Sequence, residues 1–196
     1  MTKLSHNDIL DAALNEIATA NLMTVCSQPP TTRTEAVTTY ALADVAMSGG
    51  DYTNADGDVS GRKVTVGAKA GVNVDVSGMA NHVALVDAAV LLYVTEMGTV
   101  NGGTAQAGAA TTITLAAGAS AVDDEYNNMA ITIDSGTGSG QTAIISDYVG
   151  STKVATVPTW GTNPDATSVY RVYGMQLTSG NTIDYPAWDI EFADPV

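Results

Sequence analysis

Residues 81–97 read NHVALVDAAVLLYVTEM, a stretch that predicts two neighbouring β-strands joined by a short turn. The first run, HVALV at 82–86, is continuously apolar, which is typical of a strand covered on both faces. The second run, at 89–97, contains the β-branched and aromatic residues that favour a pleated surface. We therefore expect HVALV to lie in the middle of the core of a mainly β protein.

Strand-like segments of the same kind continue on both sides of this pair, at spacings of about 8–12 residues. On the N-terminal side they are NLMTVCS (21–27), TYALADVAM (39–47), RKVTVGA (62–68) and VNVDV (72–76). On the C-terminal side they are TTITLAA (111–117), MAITID (129–134), QTAIISDYV (141–149), TKVATV (152–157), SVYRVYG (168–174) and WDIEF (188–192). Short turns between such strands predict an antiparallel β-sandwich or barrel.

One segment, residues 5–20, has the periodicity of an amphipathic helix instead. Its apolar residues repeat at i, i+3 and i+4 positions: Ile9, Leu10, Ala13, Leu14, Ile17 and Ala18. Ser5 is expected to be the N-cap, with Asp8 three residues later in a capping-box-like pair. The sequence therefore predicts one N-terminal helix that turns this stripe toward the core.

The composition changes at Gly98, which indicates a second module. Residues 98–110 carry no charge and consist mainly of Gly, Ala and Thr, so we expect a semi-flexible entry segment there. Segment 175–196 then resumes the earlier pattern and ends in an alternating apolar and acidic strand. Because exposed loop tips tolerate insertions, we expect a β-sandwich of residues 1–97 plus 175–196 with a small all-β domain, 98–174, inserted in a hairpin.

The charge of the chain excludes several function classes. Seven Lys and Arg stand against 21 Asp and Glu in 196 residues, a formal net charge of -14. Without a basic run, the sequence predicts no nucleic-acid partner and no binding to an anionic membrane surface. No apolar run approaches the ~20 residues of a transmembrane helix, and no secretory signal is expected at the N-terminus. The single cysteine excludes an internal disulfide framework and a Cys cluster for zinc.

The residues that most often carry catalysis are scarce. His6 falls in the first turn of the predicted helix, where we expect it to be exposed. His82 opens the HVALVD strand, and its odd separation from Asp87 places those two side chains on opposite faces. Cys26 ends an apolar strand with no basic neighbour, so we interpret it as a small buried hydrophobe. The sequence assigns no catalytic residue and no cofactor-binding residue.

An acidic segment, SGGDYTNADGD at 48–58, is a candidate calcium loop. Aligning Gly57 with the sixth position of an EF-hand puts Tyr52 at position one and Lys63 at position twelve, which excludes that motif. A looser site from three carboxylates stays open: Asp51, Asp56 and Asp58. We favour a solvated hairpin loop here and assign no metal ligand.

Three features stand out in the expected insert. Asp123, Asp124 and Glu125 form a second acidic cluster, again interpreted as solvated. SGTGSG at 135–140 is interpreted as a flexible turn, because a phosphate loop needs a following helix and usually a Lys. Trp160 lies in a Gly/Asn/Pro loop, where it is expected to anchor packing, with a partner or glycan surface as the alternative.

Five strings in the sequence are similar to one known family. They are CSQPPTTRTEAVTTYALADV (26–45), DGDVSGRKVTV (56–66), HVALVD (82–87), LTSGNTI (177–183) and WDIEF (188–192). Together they resemble a family of small tailed-bacteriophage structural proteins. The resemblance stops at 98–174, where shorter members of the family pass directly to the Thr-Ser-Gly-Asn-Thr segment. The insert itself looks like Ala/Thr/Gly-rich β modules of other phage structural proteins, with SGTGSGQTAIISDYVGSTKVATV (135–157) as its core.

The resemblance implies a virion structural protein and no enzyme. It favours a capsid decoration protein or short head fibre on the capsid exterior, made in the host bacterial cytoplasm and bound to the major capsid protein or other virion proteins. A homo-oligomer is expected, with a trimer preferred because it fits threefold lattice positions. The alternative is a tail, baseplate or adaptor component whose inserted domain contacts a host receptor or glycan. A virion hydrolase ranks last, because the candidate acids lie in short loops.

Overall fold

The computed structural model describes residues 6–194, which form one α-helix, α1 (Asn7–Ile17), and nineteen β-strands. The first nine strands are β1 (Leu22–Cys26), β2 (Ala41–Ala46), β3 (Tyr52–Asp56), β4 (Arg62–Val66), β5 (Lys69–Asn73), β6 (Gly78–Ala80), β7 (His82–Val86), β8 (Leu91–Glu96) and β9 (Thr99–Thr104). The others are β10 (Ala107–Gly108), β11 (Thr112–Thr114), β12 (Ala130–Ser135), β13 (Thr142–Ile144), β14 (Asp147–Val149), β15 (Val154–Thr156), β16 (Val169–Tyr173), β17 (Met175–Leu177), β18 (Thr182–Tyr185) and β19 (Trp188–Phe192). The predicted fold class, mainly β with an N-terminal helix and antiparallel sheets, is confirmed.

The described chain divides into two compact units. The first unit comprises residues 6–78, 82–96 and 177–194, and the second comprises 79–81 and 97–176. Compared with the expected insert, the second unit begins one residue earlier, ends two residues later and includes a short earlier segment. That segment belongs to it because β6 and β17 form a two-stranded sheet.

In the first unit, β7 has the inner position that its apolar run predicts. The main sheet has the order β2-β1-β7-β8, so β7 pairs with a strand on each side. Val83 to Val86 are all buried, which confirms the prediction for HVALV. A three-stranded sheet, β19-β4-β3, and a two-stranded sheet, β18-β5, complete the unit. In β19 the burial alternates as predicted, with Ile190 buried and its two acidic neighbours exposed.

The helix α1 is shorter than predicted and buries less of its stripe. His6 is the N-cap, and its Nδ1 accepts a hydrogen bond from the Asp8 backbone N–H at 3.3 Å. The expected cap, Ser5, lies outside the described residues. Leu14 and Ile17 are buried, whereas Ile9 is 68% exposed, so only the C-terminal half of the helix covers the core. A periodic stripe predicts which residues share a face, but it does not predict how much of that face another element covers.

The second unit is a sandwich of two four-stranded antiparallel sheets, β10-β11-β15-β14 and β13-β12-β16-β9. Its core combines aliphatic with aromatic side chains from both sheets: Ile113, Leu115, Tyr126, Ile131, Ile133, Ile145, Tyr148, Val157, Trp160, Tyr170 and Val172. The expected strand at 141–149 is two strands in different sheets. Ile145 N–H bonds to Met129 O and Ser146 N–H to Thr156 O, so the chain changes sheet between these two residues.

The expectation of a semi-flexible segment at 98–110 is wrong. Residues Thr99–Thr104 form β9, which pairs with β16 from Gly102 opposite Arg171 to Thr104 opposite Val169. A segment of small side chains shows little apolar–polar alternation in its sequence. Its backbone N–H and C=O groups can nevertheless form a regular antiparallel ladder with a neighbouring strand.

Candidate functional site

The nucleophile and general-base candidates occupy structural positions. Cys26 is fully buried, its Sγ lies 3.5 Å from Thr24 Oγ1 and from the Ala36 carbonyl, and burial raises the pKa of its thiol. The interpretation of this residue as a small buried hydrophobe is confirmed. His6 is an exposed helix cap, and His82 is half-buried at the start of β7. Cys26 and His82 lie directly opposite each other in the β1–β7 ladder, whereas His6 lies at the start of α1.

The acidic segment 48–58 is not the solvated loop that we expected. Residues 49–51 form a 3-10 turn, and 52–56 form β3, paired along its length with β4. Asp51 closes the turn by accepting hydrogen bonds from the Ser48 backbone N–H at 2.8 Å and hydroxyl at 3.0 Å. Its other oxygen accepts from Lys69 Nζ at 2.7 Å, and these donors, led by Lys69, lower the pKa of Asp51.

Each carboxylate that could have shared a bound cation is instead paired with a basic side chain. Arg62 bonds to Asp56 and, at 2.7 Å, to Asp11 on α1. Lys63 Nζ lies 2.5 Å from Asp58 and 2.9 Å from Asp189, and these bonds raise the pKa of Lys63. Among residues 6–194, no three Asp, Glu, His or Cys side chains are arranged to hold one metal ion.

All six Lys and Arg side chains of residues 6–194 take part in internal interactions. Outside the cluster just described, Arg33 donates to the Asp87 carbonyl at 2.8 Å and Lys153 to the Ser120 carbonyl at 3.0 Å. Arg171 pairs with Asp134 at 3.2 Å. The positive charge is therefore used to hold strands and loops together, while the surplus of carboxylates determines the sign of the surface field.

The second acidic cluster is exposed, and part of it has a structural role. Asp123 accepts a hydrogen bond from the Gly150 backbone N–H at 2.8 Å. Asp124 has a left-handed backbone, with φ 64°, and accepts from Asn127 Nδ2 at 2.7 Å. Glu125 is exposed. Two of these three carboxylates thus fix the course of the 123–127 turn, which a charge run in the sequence does not indicate.

The Gly-rich turn at 135–140 is held in place rather than flexible. The Gln141 side chain donates to the Gly138 and Thr162 carbonyls, both at 2.9 Å, and accepts from the Thr162 N–H at 2.8 Å. Ser168 is fully buried and donates to the Thr137 carbonyl at 2.6 Å. The structure differs from the expected flexible turn, because the side chains of Gln141 and Ser168 bond to backbone carbonyls of the turn.

Trp160 anchors packing, as predicted. It is only 4% exposed and belongs to the core of the second unit. Its backbone N–H donates to the Ala110 carbonyl at 2.8 Å, which ties the 158–164 loop to the end of the β10 region. The ring is therefore not available to stack on a glycan.

A polar sheet face that the sequence reasoning missed lies on β12, β13 and β16. Arg171 lies 4.7 Å from the centre of the Tyr173 ring, and the Tyr173 hydroxyl is 3.1 Å from Thr132 Oγ1. Thr132 Oγ1 in turn lies 2.7 Å from Thr142 Oγ1. We call this group, together with Asp134, the tyrosine face. Its signal was the alternation in VYRVY, where one tyrosine is buried and the next is half-buried.

Comparison of the chain with protein-family models, with curated proteins and with solved structures found no match. Within residues 6–194, no helix combines the length and the apolar character needed to cross a membrane.

Proposed function

We propose that this protein is a non-enzymatic structural component of a tailed-bacteriophage virion, and that it decorates the capsid exterior by binding the major capsid protein. The observation that carries the proposal is that residues from separate family-like strings pack together. Cys26 and Ala36 come from the first string and Ala84 and Val86 from HVALVD, and the four form one core cluster of the first unit. Two of the five strings thus contribute to one core, and we take this as support for treating them as parts of one scaffold.

The arrangement of charge supports the same proposal. Because the described cations are engaged internally, the first unit presents mainly carboxylates, with 15 Asp and Glu against four Lys and Arg in its described residues. A net negative exterior keeps particles soluble and apart when many copies cover one surface. Binding to a repeated lattice needs a stable scaffold and a contact surface, and it needs no assembled catalytic group.

The insertion of the second unit also agrees with this role. Its first long strand, β9, pairs with its last long strand, β16, so that Thr99 lies opposite Tyr173. The chain therefore enters and leaves this sandwich on adjacent strands, which is how a module is added to a scaffold without breaking it.

Copy number per particle tests the proposal directly. Quantitative mass spectrometry of purified virions should find this protein at a stoichiometry close to that of the major capsid protein. A count of a few to about a dozen, matching tail symmetry, would instead assign the protein to a tail or adaptor. Absence from the particle would overturn both structural roles.

A second candidate, a tail, baseplate or adaptor component that binds a host glycan, is favoured by the tyrosine face. Aromatic rings, hydroxyls and an Arg–carboxylate pair can provide the stacking and hydrogen bonds that a sugar ring needs. We expect Tyr173→Ala to abolish retention of the full chain on an array of host surface glycans. Val122→Ala, in the same unit but outside this face, should leave retention unchanged. No retention of the unsubstituted chain counts against this candidate.

A further inference from the structure

The edge of the second unit formed by β9 has unpaired backbone groups. β9 is the last strand of its sheet and pairs only with β16. The Ala105 N–H donates to the Ser168 carbonyl at 2.8 Å, and in an antiparallel ladder the residues that bond to the partner strand alternate. Gly103 therefore bonds to β16, whereas the N–H and C=O groups of Gly102 and Thr104 point away from it.

This edge is open to solvent. Gly102 and Thr104 are both exposed, and for a glycine exposure is exposure of the backbone itself. Within residues 6–194, no hydrogen bond is made to the outward N–H and C=O groups of these two residues. An unpaired and exposed strand edge is a template for the addition of another strand.

The β9 edge also lacks the features with which proteins usually block such edges. Residues 98–122 contain no Asp, Glu, Lys, Arg or Pro, and they include all of β9 and β10. The other sheet edges of the second unit differ: β10 has two residues, β13 and β14 have three each, and β14 begins with Asp147. β9 is thus the longest edge strand of this unit and carries no charge that would repel an incoming strand.

We propose that β9 pairs with β9 of a second copy of this chain, antiparallel about a twofold axis at Gly103. In this register Gly102 of each copy lies opposite Thr104 of the other, and each such pair exchanges two hydrogen bonds, four in all. The two four-stranded sheets then continue as one sheet of eight strands. This inference rests on the edge geometry and holds whether or not the protein belongs to a virion.

A second copy is the occupant that the charge distribution favours. The chain has a net charge of -14, so most surfaces of two copies repel each other. The β9 edge is an uncharged segment with matching donors and acceptors, so two copies can approach there without placing like charges opposite each other. Gly103 of each copy lies at the axis, flanked on either side by the two Gly102–Thr104 pairs.

The test is the mass of the full-length chain by sedimentation velocity from about 10 μM to 1 mM. We expect a concentration-dependent dimer that strengthens with added NaCl, because salt screens the general repulsion between acidic copies. Thr104→Asp should weaken dimerisation at least tenfold, because it adds a carboxylate to each side of the axis. Val122→Asp makes the same charge change at a residue that is 60% exposed and lies outside the edge, and it should change dimerisation by less than about twofold.

Two further measurements keep the proposal falsifiable. Thr104→Pro removes an outward donor without removing a bond to β16, so it should abolish the dimer while leaving the circular dichroism spectrum unchanged. Amide exchange at Gly102 and Thr104 should slow as the concentration rises. A chain that is monomeric throughout, a trimer, or a dimer equally weakened by both Asp variants would overturn self-pairing. Protection of these two amides only on addition of capsids would assign the edge to a different partner and also overturn it.

Discussion

The two units of this chain are both β structures, but they are stabilised in different ways. The first unit has one buried aromatic residue, Tyr185, and a core of mostly Ala, Val, Leu and Met. Its helix and outer strands are joined by ion pairs such as Arg62 with Asp11 and Lys69 with Asp51. The second unit buries four aromatic side chains and has only six carboxylates and two cations. Stability should therefore depend on pH mainly in the first unit and on core volume mainly in the second.

In the second unit the buried tyrosines also organise an irregular segment. The Tyr170 hydroxyl accepts from the Ala116 N–H at 2.8 Å and donates to Asn101 Oδ1 at 2.7 Å. The Tyr148 hydroxyl donates to the Ser120 carbonyl at 2.6 Å, and burial raises its pKa to about 12. Side-chain hydroxyls thus satisfy the backbone of residues 116–120, which lies outside the strand ladders.

Each unit contains one tryptophan, Trp160 in the second and Trp188 in the first, so each unit has its own fluorescent reporter.

The largest effect is expected from a cavity in the aromatic core. Ile133→Ala removes a fully buried side chain from β12 and should destabilise the second unit by about 2–5 kcal/mol. Urea unfolding followed at Trp160, in a Trp188→Phe background, measures this change. The first unit, followed at Trp188 in a Trp160→Phe background that also contains the alanine, should be unaffected. Equal shifts at both reporters would contradict independent stability of the two units.

The next effect tests the hydrogen bonds of the buried tyrosines. Tyr170→Phe leaves the Ala116 N–H and Asn101 Oδ1 without their partner, so we expect a loss of about 1–3 kcal/mol in the free energy of unfolding of the second unit. Tyr173→Phe is the matched control, because Thr132 is the only hydrogen-bond partner of that hydroxyl among the described residues and Tyr173 is half-buried. If both variants lose the same stability, the 116–120 segment does not depend on Tyr170.

Acid should unfold the first unit before the second. In the first unit, hydrogen bonds and cations lower the pKa values of Asp51 and Asp189, and backbone donors lower that of Asp87, whereas in the second unit Asp165 alone has a clearly lowered pKa. A carboxyl whose pKa is lower in the folded state stabilises the fold above its unfolded pKa, about 3.9 for Asp, and this stability is lost as the pH falls through the folded value. Trp188 emission should therefore change at a higher pH than Trp160 emission. The reverse order would show that the ion pairs of the first unit contribute little.

A strand of this fold could be predicted from the sequence where its own residues carry the pattern of a buried strand, and not where it is recognisable only by its pairing partner. The burial of HVALV and of WDIEF follows from the order of apolar and polar side chains within each segment, and both predictions are confirmed. β3 was missed because the sequence NADGD resembles a polar loop. In the structure, Arg62 and Lys63 of β4 pair with its aspartates, and only the pairing of β3 with β4 shows that these side chains are neighbours. β9 was missed because two glycines give no pattern, although its ladder to β16 is regular.

The candidate site followed the same rule. Trp160 and Cys26 were correctly assigned to packing, because tryptophan and cysteine are residue types that are usually buried. The tyrosine face and the β9 edge were not predicted. The first depends on which residues of three strands share a face, and the second on which backbone groups alternate toward β16. Both depend on strand register, which the side-chain pattern of a single segment does not specify.

The smallest expected effect concerns a carboxyl whose pKa is shifted in the opposite direction. Desolvation and the nearby Asp75 raise the pKa of Asp44, which lies on β2. A carboxyl whose pKa is higher in the folded state favours the fold at low pH, and this contribution is lost as the pH rises through the folded value. Asp44→Asn removes the charge, so it should stabilise the first unit at pH 7. Since Asp44 is exposed and screened by solvent, the gain should stay below about 0.5 kcal/mol. Urea unfolding at pH 7 and pH 4, followed at Trp188, should show the gain shrinking at the lower pH. A stability gain of equal size at both pH values would mean that Asp44→Asn acts through strand propensity rather than through charge. It would also mean that Asp75 does not destabilise the Asp44 carboxylate on β2.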